Sequence, residues 1–158
     1  MKHLPAPKEI KDLFGDLLGK DVEFSAAPPL APGPATPATV AVYVDDALEI
    51  SALIACDLPL SCYAGAALGL VPPGAASDAV NDGRLTETLS ENLYEVLNVA
   101  ASLFNAPGAT HLRLYEVYPA GGHLDVNIQA RTLTLGQRED ARLEIAGYGS
   151  GQISIVLV

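Results

Sequence analysis

The sequence predicts an α+β fold: an antiparallel sheet of six to seven strands packed against two long helices and a shorter one. Three observations carry that expectation. The apolar periods change along the chain in the order helix, three strands, helix, long helix, four strands. Neighbouring strand-like runs are joined by short polar or glycine-rich turns, as hairpins require. With 158 residues, 49% of them hydrophobic, the chain is long enough to bury about two thirds of its unfolded surface, so residues 1-158 are expected to form a single domain.

Composition also excludes function classes. Nine Lys and Arg against 19 Asp and Glu give a net charge of -10, the wrong sign for neutralising phosphates along nucleic acid or for settling on an anionic membrane. No nucleic acid and no membrane partner is expected. Cys56 and Cys62, separated by five residues, read as buried free thiols in a reducing compartment. The first residues, Met-Lys-His-Leu-Pro, lack the apolar stretch of a secretory signal. Positions 52 to 71 tempt a transmembrane reading, but Asp57, Pro59 and an Ala- and Gly-rich composition favour a strand leading into a packed helix. The expected location is cytoplasmic.

The elements follow in order. Ile10, Leu13, Phe14, Leu17 and Leu18 recur at helical spacing until Gly19, which predicts an amphipathic helix over about 7 to 19. Residues 21 to 27 suit a strand. Six residues between Pro28 and Pro37 are Pro or Gly and predict a surface loop. Val40, Val42 and Val44, then Asp45-Asp46, then Ile50, Leu53 and Ile54 predict a hairpin over about 38 to 57. A mostly apolar helix follows from Pro59 to Gly69, stopped by Pro72-Pro73-Gly74. Ser77 to Asn105 carries the longest helical pattern. Strands are then predicted at 110 to 118, 123 to 135, 141 to 148 and 152 to 158. In the second of these Leu133 and Leu135 are out of phase with Val126 and Ile128, which predicts a bulge. Glycines around Tyr148 to Gly151 suit a hairpin turn. The apolar last strand is either central in the sheet or an edge covered by a second copy.

The long helix carries the chemistry. At about 100° per residue, Leu85, Leu89, Leu93, Val96, Leu97, Ala100, Leu103 and Phe104 form a core stripe. Glu87, Thr88, Glu91, Glu95, Asn98 and Ser102 lie opposite, within about 50° of one line. A polar face is usually only solvated. Here, however, Glu87, Glu91 and Glu95 have no Lys or Arg at i+4, so the ridge forgoes intrahelical pairing and is open to a basic partner. Asn98, a mediocre helix former, interrupts a Val-Ala-Ala stretch that otherwise favours helix.

This pattern resembles the CheC, CheX and FliY family of chemotaxis phosphatases, with CheX-like domains the nearest type. The family motif, an acidic residue or Ser, three residues, Glu, two residues, Asn, reads here as Glu91, Glu95 and Asn98, with Pro119 after twenty intervening residues. A strand and helix ahead of the motif (Ile50 to Leu70) and a strand, turn, strand at the end (Ala141 to Val158) are also similar to CheX domains. The resemblance implies a phosphatase acting on the aspartyl phosphate of a phosphorylated CheY-like response regulator. In it Glu95 and Asn98 are catalytic, Asn98 orienting the attacking water and Glu95 pairing with the regulator's Lys, while Glu91, Glu87 and Ser102 contact the partner. Mg²⁺ would belong to the regulator, with no cofactor bound by this chain, and the resemblance favours a homodimer. The alternative is a non-catalytic adaptor of the same fold that binds a receiver or another signalling domain. Two departures stand out. Ala101 occupies the region where relatives commonly have Gly after the Asn, and the spacing to Pro119 is slightly short.

Some relatives repeat E-x-x-N on the first helix. An offset of 86 places Glu9 over Glu95 and Leu17 over Leu103, and Asp12 then stands where Asn98 does. A carboxylate would repel a phosphoryl group, so one site per chain is expected. Other constellations are weaker. His111 and His123 with Glu116 or Asp125 lack metal-ligand spacing, Ser61 and Ser102 lack a G-x-S-x-G context, and Gly147, Gly149 and Gly151 precede a strand where a phosphate loop needs a helix.

Overall fold

A computed structural model describes residues 1–158. Six strands form one fully antiparallel sheet: β1 (Val22–Ala26), β2 (Ala38–Val44), β3 (Ile50–Asp57), β4 (Arg113–Tyr118), β5 (Arg138–Ile145) and β6 (Gly149–Leu157), in the order β1-β5-β6-β3-β2-β4. The helices are α1 (Pro7–Leu18), α2 (Leu58–Leu68), α3 (Pro73–Asn81), α4 (Glu87–Val99) and α5 (Val126–Thr132), and a 3-10 turn over Ala100–Phe104 continues α4. The architecture is the expected α+β type. The run at 52 to 71 is β3 leading into α2, and no helix is long and apolar enough to cross a membrane.

The main core lies between one sheet face and α1, α2 and α4. Ile10 and Phe14 of α1, Leu60 and Ala64 of α2, and Leu93, Val96 and Leu97 of α4 pack on Tyr43, Ile54, Cys56, Ile155 and Leu143. Helices come close to sheet and to one another where a side chain is missing. A Cβ on Gly65 of α2 would stand 2.5 Å from the Leu89 carbonyl oxygen of α4, and one on Gly151 of β6 would stand 2.5 Å from the Leu60 nitrogen. Asp57 starts α2, its Oδ1 accepting from the Leu60 N–H at 2.9 Å. Burial raises its pKa, partly opposed by backbone donors from Leu60 and Gln152. Cys56 and Cys62 are buried and unpaired. Burial pushes the Cys56 thiol far up and Cys62 to about 11, so neither supplies thiolate at neutral pH.

The opposite sheet face is also covered, which is why every residue of β2 is buried. The Pro-rich segment lies on it. Leu30 joins Val40, Val42, Leu53, Ala55 and Ile128 in a second apolar cluster. A polar chain fastens this layer. The Leu30 N–H donates to Ser154 Oγ at 3.0 Å, and Ser154 Oγ donates to Asp140 Oδ1 at 2.6 Å. Asp140 pairs with Arg138 at 2.9 Å, and Arg138 donates onward to the Thr132 and Thr134 carbonyls.

Two expectations are corrected. The run from 77 to 105 is two helices, because Asp82-Gly83 ends α3 with Gly83 at φ 68 and Thr86 Oγ1 caps α4 by accepting from Leu89 N–H. The segment 123 to 135 is no bulged strand. Asp125 Oδ1 accepts from the Asn127 and Ile128 amides and starts α5, so Ile128 and Thr132, one turn apart, are buried while Val126 and Leu133 are exposed. The phase conflict reflected a helical period. Of the two readings of the last strand, the central one holds: β6 lies between β5 and β3. The sheet edges are β1 and β4.

Candidate functional site

The core stripe of α4 is placed as expected. Leu89, Leu93, Val96, Leu97, Ala100, Leu103 and Phe104 are buried, and Leu85 is partly so. The opposite ridge consequently faces outward. Glu87, Thr88, Glu91, Glu95, Asn98 and Ser102 are all exposed. Glu95 and Asn98 are one turn apart, about 4.5 Å along the axis. The three ion pairs of the molecule are His3–Glu9, Lys8–Asp12 and Arg138–Asp140, so no base neutralises Glu87, Glu91 or Glu95. Ser90, Glu91, Tyr94 and Glu95 line a shallow depression of about 360 Å³.

The ends of α4 modify the ridge. Glu87 is in the first turn, where a carboxylate interacts favourably with the helix dipole whether or not it meets a partner. Ser102 lies in the 3-10 turn, which winds 120° per residue and swings it about 60° further round than an α-helix would. Glu91, Glu95 and Asn98 therefore form the compact group, with Glu87 at its start and Ser102 displaced at its end.

Sequence reasoning missed Tyr43. Its buried hydroxyl donates to the Leu97 carbonyl at 2.7 Å, its ring lies 5.0 Å from that of Phe104, and burial raises its pKa well above the ordinary tyrosine range. That bond satisfies a carbonyl where α4 tightens into the 3-10 turn, and it fixes the backbone next to Asn98. Tyr43 only alternates with the valines of the predicted hairpin, and that period carries no sign of the helix it grips. The close packing expected of a glycine after Asn98 is provided from α2 instead, by Gly65 against Leu89.

The rival residues are dispersed or already engaged. His111 and His123 flank the two ends of β4, a strand about 20 Å long, and no three His, Cys, Asp or Glu side chains gather as a metal site. Ser61 donates to the Asp57 carbonyl at 2.7 Å in the core. Pro119 follows β4, and its carbonyl accepts from the Gly122 N–H. On α1, Glu9 and Asp12 are exposed but occupied: Glu9 accepts from the Ala6 N–H at 3.0 Å and contacts His3, and Asp12 pairs with Lys8 at 2.5 Å.

No protein-family profile and no curated protein matches the sequence. Solved structures do match in fold. The FliM middle domain of Vibrio alginolyticus superposes with a TM-score of 0.57 at 10% identity, over 96% of this chain and 87% of that one. FliY of Thermotoga maritima gives 0.55 at 12%, over 98% and 85%. A chain of the FliG-FliM complex from H. pylori gives 0.53 at 10%, over 97% and 86%. Nearly the whole chain thus has the fold of FliY, the expected CheC, CheX and FliY type, which the FliM middle domain shares.

Proposed function

We propose that the chain is a chemotaxis-type phosphatase that speeds hydrolysis of the aspartyl phosphate of a CheY-like response regulator. The observation that carries this reading is the ridge of α4: Glu95 and Asn98, one turn apart, exposed, with no basic side chain pairing the ridge carboxylates. An acyl phosphate is already reactive toward water, so a partner need only place the water. The Asn98 carboxamide has one acceptor and two donor hydrogens. Its Oδ1 accepts from the water and its Nδ2 donates to a phosphoryl oxygen, aligning attack on phosphorus. The phosphorus–oxygen bond to the aspartyl carboxylate breaks, releasing inorganic phosphate and the free carboxylate. Mg²⁺, held by the regulator, supplies charge neutralisation at the phosphoryl group.

Glu95 pairs with the regulator's Lys and fixes the helix in its pocket, while Glu91, Glu87 and Ser102 extend the contact. The protein acts in the cytoplasm, and a homodimer would join through β1 or β4, the free edges. The rival reading is a binding module of the same fold, favoured by the FliM structure solved with FliG. One experiment separates them. Phosphorylated receivers from the same organism are mixed with the protein and phosphate loss is followed. The phosphatase reading expects decay faster than the spontaneous rate, abolished by Asn98→Ala in a protein whose circular dichroism is unchanged. Binding without faster decay supports the adaptor, and neither effect with any receiver sinks both.

A further inference from the structure

The end of α2 breaks a local rule. The helix closes in a Schellman arrangement: the Val71 N–H donates to the Ala66 carbonyl at 2.9 Å and the Leu70 N–H to the Ala67 carbonyl at 3.4 Å. The residue after the cap of such a motif takes the left-handed conformation and is usually glycine. Here it is Leu70, at φ 55. The glycine is one place earlier, at Gly69, where a Cβ would stand 2.3 Å from Asn92 Nδ2 of α4. The chain thus has its glycine where α2 meets the Asn92 side chain and a leucine, 80% exposed, in the left-handed position.

Leu70 directly follows Gly69, so it lies at the end of α2 that abuts Asn92 of α4. Around the α4 axis Asn92 lies about 20° from Val99, and Tyr94 lies about 140° from Val99 with Glu91, Glu95 and Asn98 in the arc between them. Tyr94 and Val99 are 46% and 43% exposed, and the Tyr94 hydroxyl bonds no other group. Val99 and Tyr94 border the ridge on its two sides, and α2 ends against Asn92 on the Val99 side, where Leu70 follows. Strained backbone and exposed large apolar side chains both oppose folding stability, and strain of this kind gathers at working surfaces.

We infer that Leu70 is an apolar anchor for the receiver partner, seated in a hydrophobic patch beside the basic residue that meets Glu95. The inference rests on the phosphatase reading and adds the partner's surface chemistry: a Lys at the phosphorylated pocket, bordered by apolar side chains on both sides. The charge of the ridge selects that occupant, since three unpaired carboxylates between apolar flanks complement a cation set in an apolar rim. An anchor of this type concentrates binding energy in one or two side chains.

The test uses Leu70→Asn and Leu70→Gly in the full chain. Both residues adopt the left-handed conformation more readily than Leu, so both variants are expected to fold and Leu70→Gly to melt above the parent. Binding is titrated against the receiver activated with beryllofluoride and Mg²⁺, and dephosphorylation is followed at low and saturating receiver. Both variants are expected to weaken binding about tenfold or more, with turnover at saturation within about twofold of the parent; Asn98→Ala is expected to show the reverse. If the parent binds and dephosphorylates the receiver and both Leu70 variants bind as well as it does, the anchor is overturned and the phosphatase reading stands. If binding falls in both variants but Asn98→Ala dephosphorylates normally, the anchor stands and the phosphatase reading fails. A parent that neither binds nor dephosphorylates overturns both.

Discussion

The polar faces of α1 and α4 answer the same structural demand in opposite ways. Each helix buries one stripe in the main core and turns the other side to water. On α1 charges of both signs engage one another: Lys8 bonds Asp12, which raises the Lys8 pKa, and Glu9 is held by the Ala6 amide and His3. On α4 three carboxylates follow one another at i+4 without a base. Like charges at that spacing destabilise a helix by about 0.2–0.5 kcal/mol per pair, so the ridge is slightly worse for stability than a mixed face would be. A self-satisfied face has little left to offer a partner, whereas an unsatisfied one keeps its acceptors free.

The largest expected effect breaks the comparison at its centre. Asn98→Ala removes an exposed amide, so stability should be unaffected while stimulated dephosphorylation falls about a hundredfold or more. Stopped-flow measurement of phosphate loss beside a thermal melt checks both. A fall in melting temperature matching the loss of activity would mean that Asn98 supports the helix and not the chemistry.

Next comes the support beneath the ridge. Gly65→Ala places a Cβ against the Leu89 carbonyl, a backbone atom that cannot swing aside, and overpacking of this kind costs about 1–3 kcal/mol. Gly74→Ala in α3, where a Cβ meets nothing within 4 Å, should instead stabilise by about 0.5–1 kcal/mol. Denaturant unfolding distinguishes the two. Equal effects would show that the α2–α4 approach is looser than the geometry implies.

The two helix starts differ in pH response. Glu9 serves α1 by accepting from the Ala6 amide, which together with His3 lowers its pKa against an opposing effect of burial. A carboxyl with a depressed folded pKa stabilises above its unfolded pKa, and that contribution is lost as pH falls through the folded value. Glu9→Gln should therefore flatten the stability profile below about pH 4.3 and lower stability at neutral pH. Thr86 of α4 does not titrate, so Thr86→Ala should cost about 1 kcal/mol at every pH. Melts from pH 3 to 7 test the contrast, and a Thr86→Ala profile that converged on the parent in acid would contradict it.

Much of this was legible because burial periodicity is written directly in residue types. The stripe of α4, the hairpin β2–β3 and the ridge from Glu87 to Asn98 all followed from spacing. What was missed depends on local polar bonds that outweigh apolar period. Asp125 turns an alternating run into α5, and Gly83 with Thr86 cuts one helical pattern in two. The Pro-rich segment read only as a surface loop, because its role as cover for the second sheet face depends on Ser154 and Asp140, more than a hundred residues away. The grip of Tyr43 on Leu97 was hidden for the same reason. Pairings across such separations leave no mark in the residues near either partner.

The smallest expected effect is the most direct test of what separates the two faces. Asp12→Asn gives α1 the same Glu, two residues, Asn spacing as α4 and removes the charge that would repel a phosphoryl group. If residue type and spacing were enough, the variant would gain a second site and roughly double its turnover per chain. The structure argues against that. Glu9 is held by the Ala6 amide and His3, so it is not free to pair with a regulator's Lys, and Lys8 and Lys11 stand on the same helix where that Lys would have to approach. Turnover of Asp12→Asn, measured in the Asn98→Ala background so that any new site is seen alone, should stay at the spontaneous rate. Activity restored there would show that the pairing on α1 is incidental and that the amide alone makes the site.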